Sequence, residues 1–186
     1  MSGKNSHQAV EAFVEPLNRA RSTVTNAVLA VSPGGYDPGG PHTLAFRAGS
    51  PRLSTDYGDM TLTAIVGYSA VETKDPDRGP WKVKTESYIY RLTAADGAKV
   101  ISFEWHPSGS SPVKTPHVQV GPAGLGQGLG DLGKLLSKAH IPTRRISMEQ
   151  VLEFAIRELQ VHYIRDDWEK VLMETYTAFE QWRTWG

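Results

Sequence analysis

Two imidazoles near a carboxylate and a guanidinium suffice for acid–base chemistry without a metal. The middle of this chain offers such a set in His106, His117, Glu104 and Arg91, with the Ser87 hydroxyl beside them. One histidine takes a proton, the other gives one, and the cation steadies a developing anion. Cleavage of RNA needs no more, because the ribose 2′-hydroxyl supplies the nucleophile. Further on, Ala139-His140-Ile141-Pro142-Thr143-Arg144-Arg145 adds another imidazole, His140, and two guanidiniums suited to phosphate, Arg144 and Arg145. The plainer reading of the same residues is a solvated sheet face with merely polar histidines, a loop histidine at 140 and a solvated helix edge at 144–145. His106, His117 and Glu104 would also make an acceptable zinc or manganese set. Nothing in their spacing demands a metal, and no cofactor is expected.

Other signatures are incomplete. Gly128-Leu129-Gly130-Asp131-Leu132-Gly133 matches a dinucleotide fingerprint by letter, yet no βαβ unit follows it, and Glu153, at the distance of a ribose ligand, reads as helical. Gly128 to Gly133-Lys134 begins a P-loop, but Leu135 stands where a Ser or Thr must hold magnesium. A glycine-rich stretch produces such matches by chance. There is no cysteine, which removes thiolate metal sites and cysteine nucleophiles. No serine has the flanks of a nucleophile elbow.

The elements that must hold the histidines are strands. His42–Arg47, Thr61–Val71, Lys82–Thr93, Lys99–His106 and His117–Gly121 carry β signals, which predicts a sheet of about five strands. Asp96-Gly97 between two alternating runs predicts a hairpin with a type I′ turn. With Ala95 opposite Ala98, Leu92 faces Ile101, Tyr90 faces Phe103 and Tyr88 faces Trp105, so one side is aromatic and apolar. The other side then carries Arg91 with Ser102, Ile89 with Glu104, and Ser87 with His106. A second hairpin closing at Pro107–Pro116 would place His117 beside His106 and Gln119 beside Glu104.

Helices must cover the aromatic side. Val10, Phe13, Val14, Leu17, Val24, Ala27, Val28 and Val31 follow helical spacing from Ser6 to about Ala30, interrupted by Pro16. Ser147 with Gln150, and Asp166 with Glu169, read as capping boxes opening two C-terminal helices. Between sheet and helices, Gly121–Gly133 holds six glycines and reads as a flexible loop within a single α+β domain spanning 1–186. The expected fold is thus an antiparallel sheet packed against an N-terminal helix and two C-terminal helices.

Lys+Arg and Asp+Glu are both 20, so any grip on nucleic acid must come from a local patch rather than from net charge. The start Met1-Ser2-Gly3-Lys4-Asn5-Ser6 lacks an apolar core, and no apolar run reaches membrane-spanning length. The expectation is a cytoplasmic protein without membrane contact. Zero net charge favours a homodimer, and Trp185 near the end suggests a partner surface.

Tyr88-Ile89-Tyr90-Arg91, Asp96-Gly97, Trp105-His106-Pro107 and Pro116-His117-Val118 come in an order that resembles the TumE-like toxins of bacterial two-gene toxin–antitoxin systems. The resemblance covers about residues 85–120, and one histidine stands at 117 where the family suggests a pair. It implies an enzyme acting on RNA or another nucleic-acid target and neutralised by an antitoxin protein. Two other readings stay open: a non-catalytic, dimeric interaction module, and a small-ligand binder using a pocket between sheet and helices.

Overall fold

Asn5 starts the first long helix by accepting a hydrogen bond from the Gln8 amide at 2.9 Å. A computed structural model describes residues 2–74, 79–109, 111–126 and 129–182, with backbone alone at 182. Strand β1 (Ser2–Gly3) precedes helix α1 (Ser6–Arg21), which buries Ala9, Val10, Leu17 and Ala20. Pro16 lies within α1 without ending it. The helix stops nine residues short of the expected Ala30, and the cause is local. Ser22 and Thr23 turn their hydroxyls onto the carbonyls of Arg19 and Ala20, and Arg21 bonds the Thr25 carbonyl. Side chains that compete for backbone partners close a helix. Leu29–Val31 then forms strand β2, with Asn18 of α1 gripping both backbone groups of Leu29 at 2.9 and 3.0 Å.

Seven more strands follow: β3 (Gly39–Phe46), β4 (Arg52–Leu53), β5 (Met60–Glu72), β6 (Trp81–Ala94), β7 (Lys99–Trp105), β8 (His117–Val120) and β9 (Ile141–Pro142). The predicted antiparallel sheet is present, with nine described strands rather than about five. Its order is β2-β3-β5-β6-β7-β8-β9, with β1 on β6 and β4 on β5. The additional strands are short, from two to three residues, below the length at which alternation shows in sequence. Gly39–Pro41, expected as loop, belongs to β3 through a bulge between Gly39 and His42.

The β6–β7 hairpin keeps the expected register in its body and departs from it at the turn. Tyr88 pairs with Trp105, Tyr90 with Phe103 and Leu92 with Ile101. At the tip, Ala94 pairs with Ala98, and only Gly97 takes a positive φ of 84°. The loop therefore has three residues with a left-handed glycine, and the type I′ expectation fails because Asp96 stays out of that region. A second irregularity at Val100 shifts the strands back by one and restores the register.

The β7–β8 pairing differs from expectation by two residues. Glu104 pairs with His117 and Ser102 with Gln119, whereas His106 lies beyond the end of β7. A slip of two keeps every side chain on its face, since strand side chains alternate with period two.

The aromatic side is the core, as its pattern demands. Tyr88, Tyr90, Leu92, Phe103 and Trp105 are buried there with Leu62, Ala64, Val66 and Tyr68 of β5. Each large apolar side chain so enclosed contributes about 1.5–3 kcal/mol. Tyr68 satisfies its hydroxyl by donating to the Gly35 carbonyl at 2.7 Å, and burial pushes its phenol up to about 12. Helix α4 (Met148–Leu159) opens with the predicted Ser147–Gln150 capping box and buries Met148, Val151, Leu152, Ala155 and Ile156. Helix α5 (Trp168–Trp182) begins after Asp167, whose carboxylate is taken by Arg165. The glycine-rich stretch carries two short helices, α2 (Pro122–Leu125) and α3 (Gly130–Leu136). Trp185 lies outside the described residues.

Candidate functional site

Pairing across four strands sets out the outer face row by row. Ile65, Ile89, Glu104 and His117 form one row, and Thr63, Arg91, Ser102 and Gln119 form the next. Glu104 is the hub. Its Oε1 accepts from Arg91 Nη2 at 3.0 Å, and its Oε2 lies 3.5 Å from His106 Nε2. Burial pushes the Glu104 carboxyl up, but the hydrogen bonds from Arg91 and Ser102, with the charges of Arg91 and His106 added, outweigh it and hold the group below the usual carboxylate range. Carboxylate, guanidinium and first imidazole thus form one unit because Arg91 and Glu104 sit on adjacent rows and His106 follows Glu104 by two residues, just past the end of β7.

His117 belongs to a second unit. Its residue is only 2% exposed, and Nδ1 stands 2.9 Å from the Thr115 carbonyl. A carbonyl can only accept, so Nδ1 carries the proton and the Nε2 of neutral His117 is an unprotonated base. The ring of His140 meets it edge-on at 4.8 Å between centroids. His140 is in turn held by Gln119, whose Nε2 lies 2.8 Å from His140 Nε2, and the Gln119 carbonyl accepts from Lys99 at 2.9 Å. Lys99 fixes which end of the Gln119 amide points to His140, so the amide donates and neutral His140 carries its proton on Nδ1.

Five of the sequence-derived residues therefore meet on one face: Arg91, Glu104, His106, His117 and His140. Ser87 lies on the same strand one residue past the last β6–β7 pair, over Gly67. Arg145 does not join them. Its guanidinium lies 3.5 Å from the centre of the Trp105 ring, on the aromatic side, where it borders a cleft with Lys84, Glu86 and Ser108. Arg144 is exposed. Lys99 is the member missed from sequence; Gln119 was expected on this face beside Glu104 and instead pairs with Ser102, where it holds His140.

One buried polar atom in the row beside Glu104, Arg91 Nε, lacks a hydrogen-bond partner. A buried donor left unpaired calls for a partner, whether an ordered water or a ligand. Among the described residues no group of three or more His, Asp and Glu side chains converges as a metal-ligand set, and no helix is long and apolar enough to cross a membrane. The hollow between sheet and helices, walled by Phe13, Leu17, Tyr88, Tyr90 and Phe179, measures about 30 Å³. That is room for a water-sized guest.

No family model, curated protein or solved structure matches the chain with significance.

Proposed function

We propose that the chain is a metal-independent, toxin-like ribonuclease of the bacterial cytoplasm whose outer sheet face holds the reacting phosphodiester. The observation that carries this reading is the charge balance of the face: one carboxylate, Glu104, among Arg91, Lys99 and three imidazoles. Such a face attracts an anion. His117, with its lone pair on Nε2, takes the 2′-hydroxyl proton. His106, paired with Glu104, gives a proton to the departing 5′-oxygen, and the products are a 2′,3′-cyclic phosphate and a free 5′-hydroxyl. Arg91 and the exposed Arg144 hold the phosphate. His140 covers His117 and must swing away before RNA can reach it. An antitoxin protein would neutralise the enzyme.

Cleavage of a mixed-sequence RNA by wild type, His106→Ala and His117→Ala tests the reading. Each alanine is expected to lose at least about 100-fold, the usual scale for a proton-transfer group. His140→Ala is expected to keep or raise the activity. Equal cleavage by wild type and both alanine variants would remove the proposal, as would equal growth inhibition on expression.

A non-catalytic interaction module is the second reading, and one observation favours it. Leu132, Leu135 and Ile141 lie half or more exposed around α3 and β9, an apolar patch of the kind partner proteins cover. A homodimer would fit either reading.

A further inference from the structure

Among the described residues, only one of the two edges of β6 is covered along its whole length. β5 pairs with it from Trp81 to Ala94, apart from a bulge at Glu86. On the other side β1 takes Trp81 and Lys82, and β7 takes Tyr88 to Thr93. Between these two partners lie Val83 to Ser87, and among the described residues no strand or loop amide pairs with them on that side. Five residues of strand span roughly 17 Å. Successive residues of a strand turn their amide and carbonyl to opposite edges, so backbone donors and acceptors of β6 face this gap.

The gap opens onto a cleft of about 450 Å³. Lys84 and Glu86 stand on its β6 side, Trp105, Pro107 and Ser108 where the chain leaves β7, and Arg145 beside them. The acid of this lining has its own partners: the Glu86 carboxylate lies 3.1 Å from the Lys84 ammonium and accepts from the Ser69 hydroxyl at 3.2 Å. The Arg145 guanidinium stands 3.5 Å from the centre of the Trp105 ring, at the end of the gap that β7 closes. A guanidinium placed over an aromatic ring presents its N–H fork in the plane that a carboxylate needs.

We propose that this gap is a docking site for the C-terminal end of a short extended peptide. The peptide backbone completes the edge of β6, and Arg145 receives its terminal carboxylate. A slot edged by backbone amides and carbonyls calls for a guest that offers the same groups. Both ends of the slot are taken, one by β1 and one by β7, so a chain end fits where a strand running through does not. The cation stands at the β7 end, which makes that chain end a carboxylate and sets the peptide parallel to β6. Lys84 and the bulge at Glu86 deny the slot to a growing sheet while leaving it open to one short segment. The site uses none of the histidines and is independent of the ribonuclease reading.

Fluorescence anisotropy of a fluorescein-labelled Thr-Val-Thr-Val-Val peptide, titrated with the full chain, tests the proposal. The free acid is expected to bind at least about tenfold more tightly than the same peptide ending in a carboxamide, and Arg145→Gln is expected to erase that preference. Methylation of alternate peptide nitrogens is expected to weaken the free acid at least about tenfold, because it removes the donors that pair with β6. Ser108→Trp, at an exposed position on the cleft wall, is expected to weaken acid and amide alike and serves as the variant independent of Arg145. Equal affinity for acid and amide, or a preference that persists in Arg145→Gln, would overturn the carboxylate site. Undiminished binding of the methylated peptide or by Ser108→Trp would overturn strand addition in this gap, and no binding at millimolar concentration would overturn the whole proposal.

Discussion

Glu104 shows how one side chain can be a structural and a chemical residue at once. It faces a guanidinium and an imidazole with separate oxygens, and removing either partner changes the cost of keeping the carboxylate half-buried. Arg91→Met is expected to destabilise the protein by about 1–3 kcal/mol at pH 7, the scale for leaving an enclosed charge without its hydrogen-bonded partner. The pH dependence has a definite sign. The folded Glu104 carboxyl lies below its ordinary value of 4.5. Its ionised form therefore contributes stability that is fully present above the unfolded value and is lost as pH falls through the folded one. The gap between wild type and Arg91→Met should narrow from pH 7 to pH 3, as read by urea denaturation. A gap that stays constant would mean that the guanidinium acts through packing alone. These residues were legible in the sequence because alternation names the face on which each side chain lies. Their distances were not, because a slip of two residues leaves the faces unchanged while moving His117 from His106 to Glu104.

Turns and helix ends decide registers, and here sequence signals succeed unevenly. The Ser147–Gln150 pair marks the start of α4 because both halves of the cap lie within four residues of each other. The end of α1 is harder to read, because apolar spacing continues through Val24, Val28 and Val31 although the backbone has already turned into β2. Strand spacing of two and helical spacing of three or four share enough positions to mimic each other over so short a run. At the β6–β7 tip the Asp-Gly signal located the hairpin but not its loop length. Gly97 alone needs the left-handed region there, with a φ of 84° and nothing near the place a Cβ would occupy. Gly97→Ala is therefore expected to cost about 1 kcal/mol through backbone strain alone. A thermal melt should show a modest drop in Tm with the far-UV spectrum unchanged, and an unaltered Tm would argue against the three-residue loop.

At the scale of the molecule, the first and last helices share one layer. α1 touches α4, α5 and β6, so the two ends of the chain meet over the same sheet. Arg19 of α1 and Glu174 of α5 form an ion pair between helices far apart in sequence. Such interlocking predicts a single cooperative unfolding transition, in which far-UV dichroism and tryptophan fluorescence give coincident curves. Two separated transitions would show that the C-terminal helices form a unit of their own. The overall α+β architecture was readable because five strands and three long helices each carry a periodic pattern. The two- and three-residue strands that complete the sheet follow from pairing with neighbours, not from any pattern of their own.

Those small strands also govern how the protein can meet others. The ladder ends on one side in the three residues of β2 and on the other in the two residues of β9, one of them Pro142. A foreign strand seeking to add itself there finds hardly any free amides to zip onto, and a proline donates none. Assembly by edge growth, the route by which β-rich proteins form fibrils and exchange strands, is thereby discouraged, and contact with other macromolecules is steered to the broad sheet surface or to the helical layer.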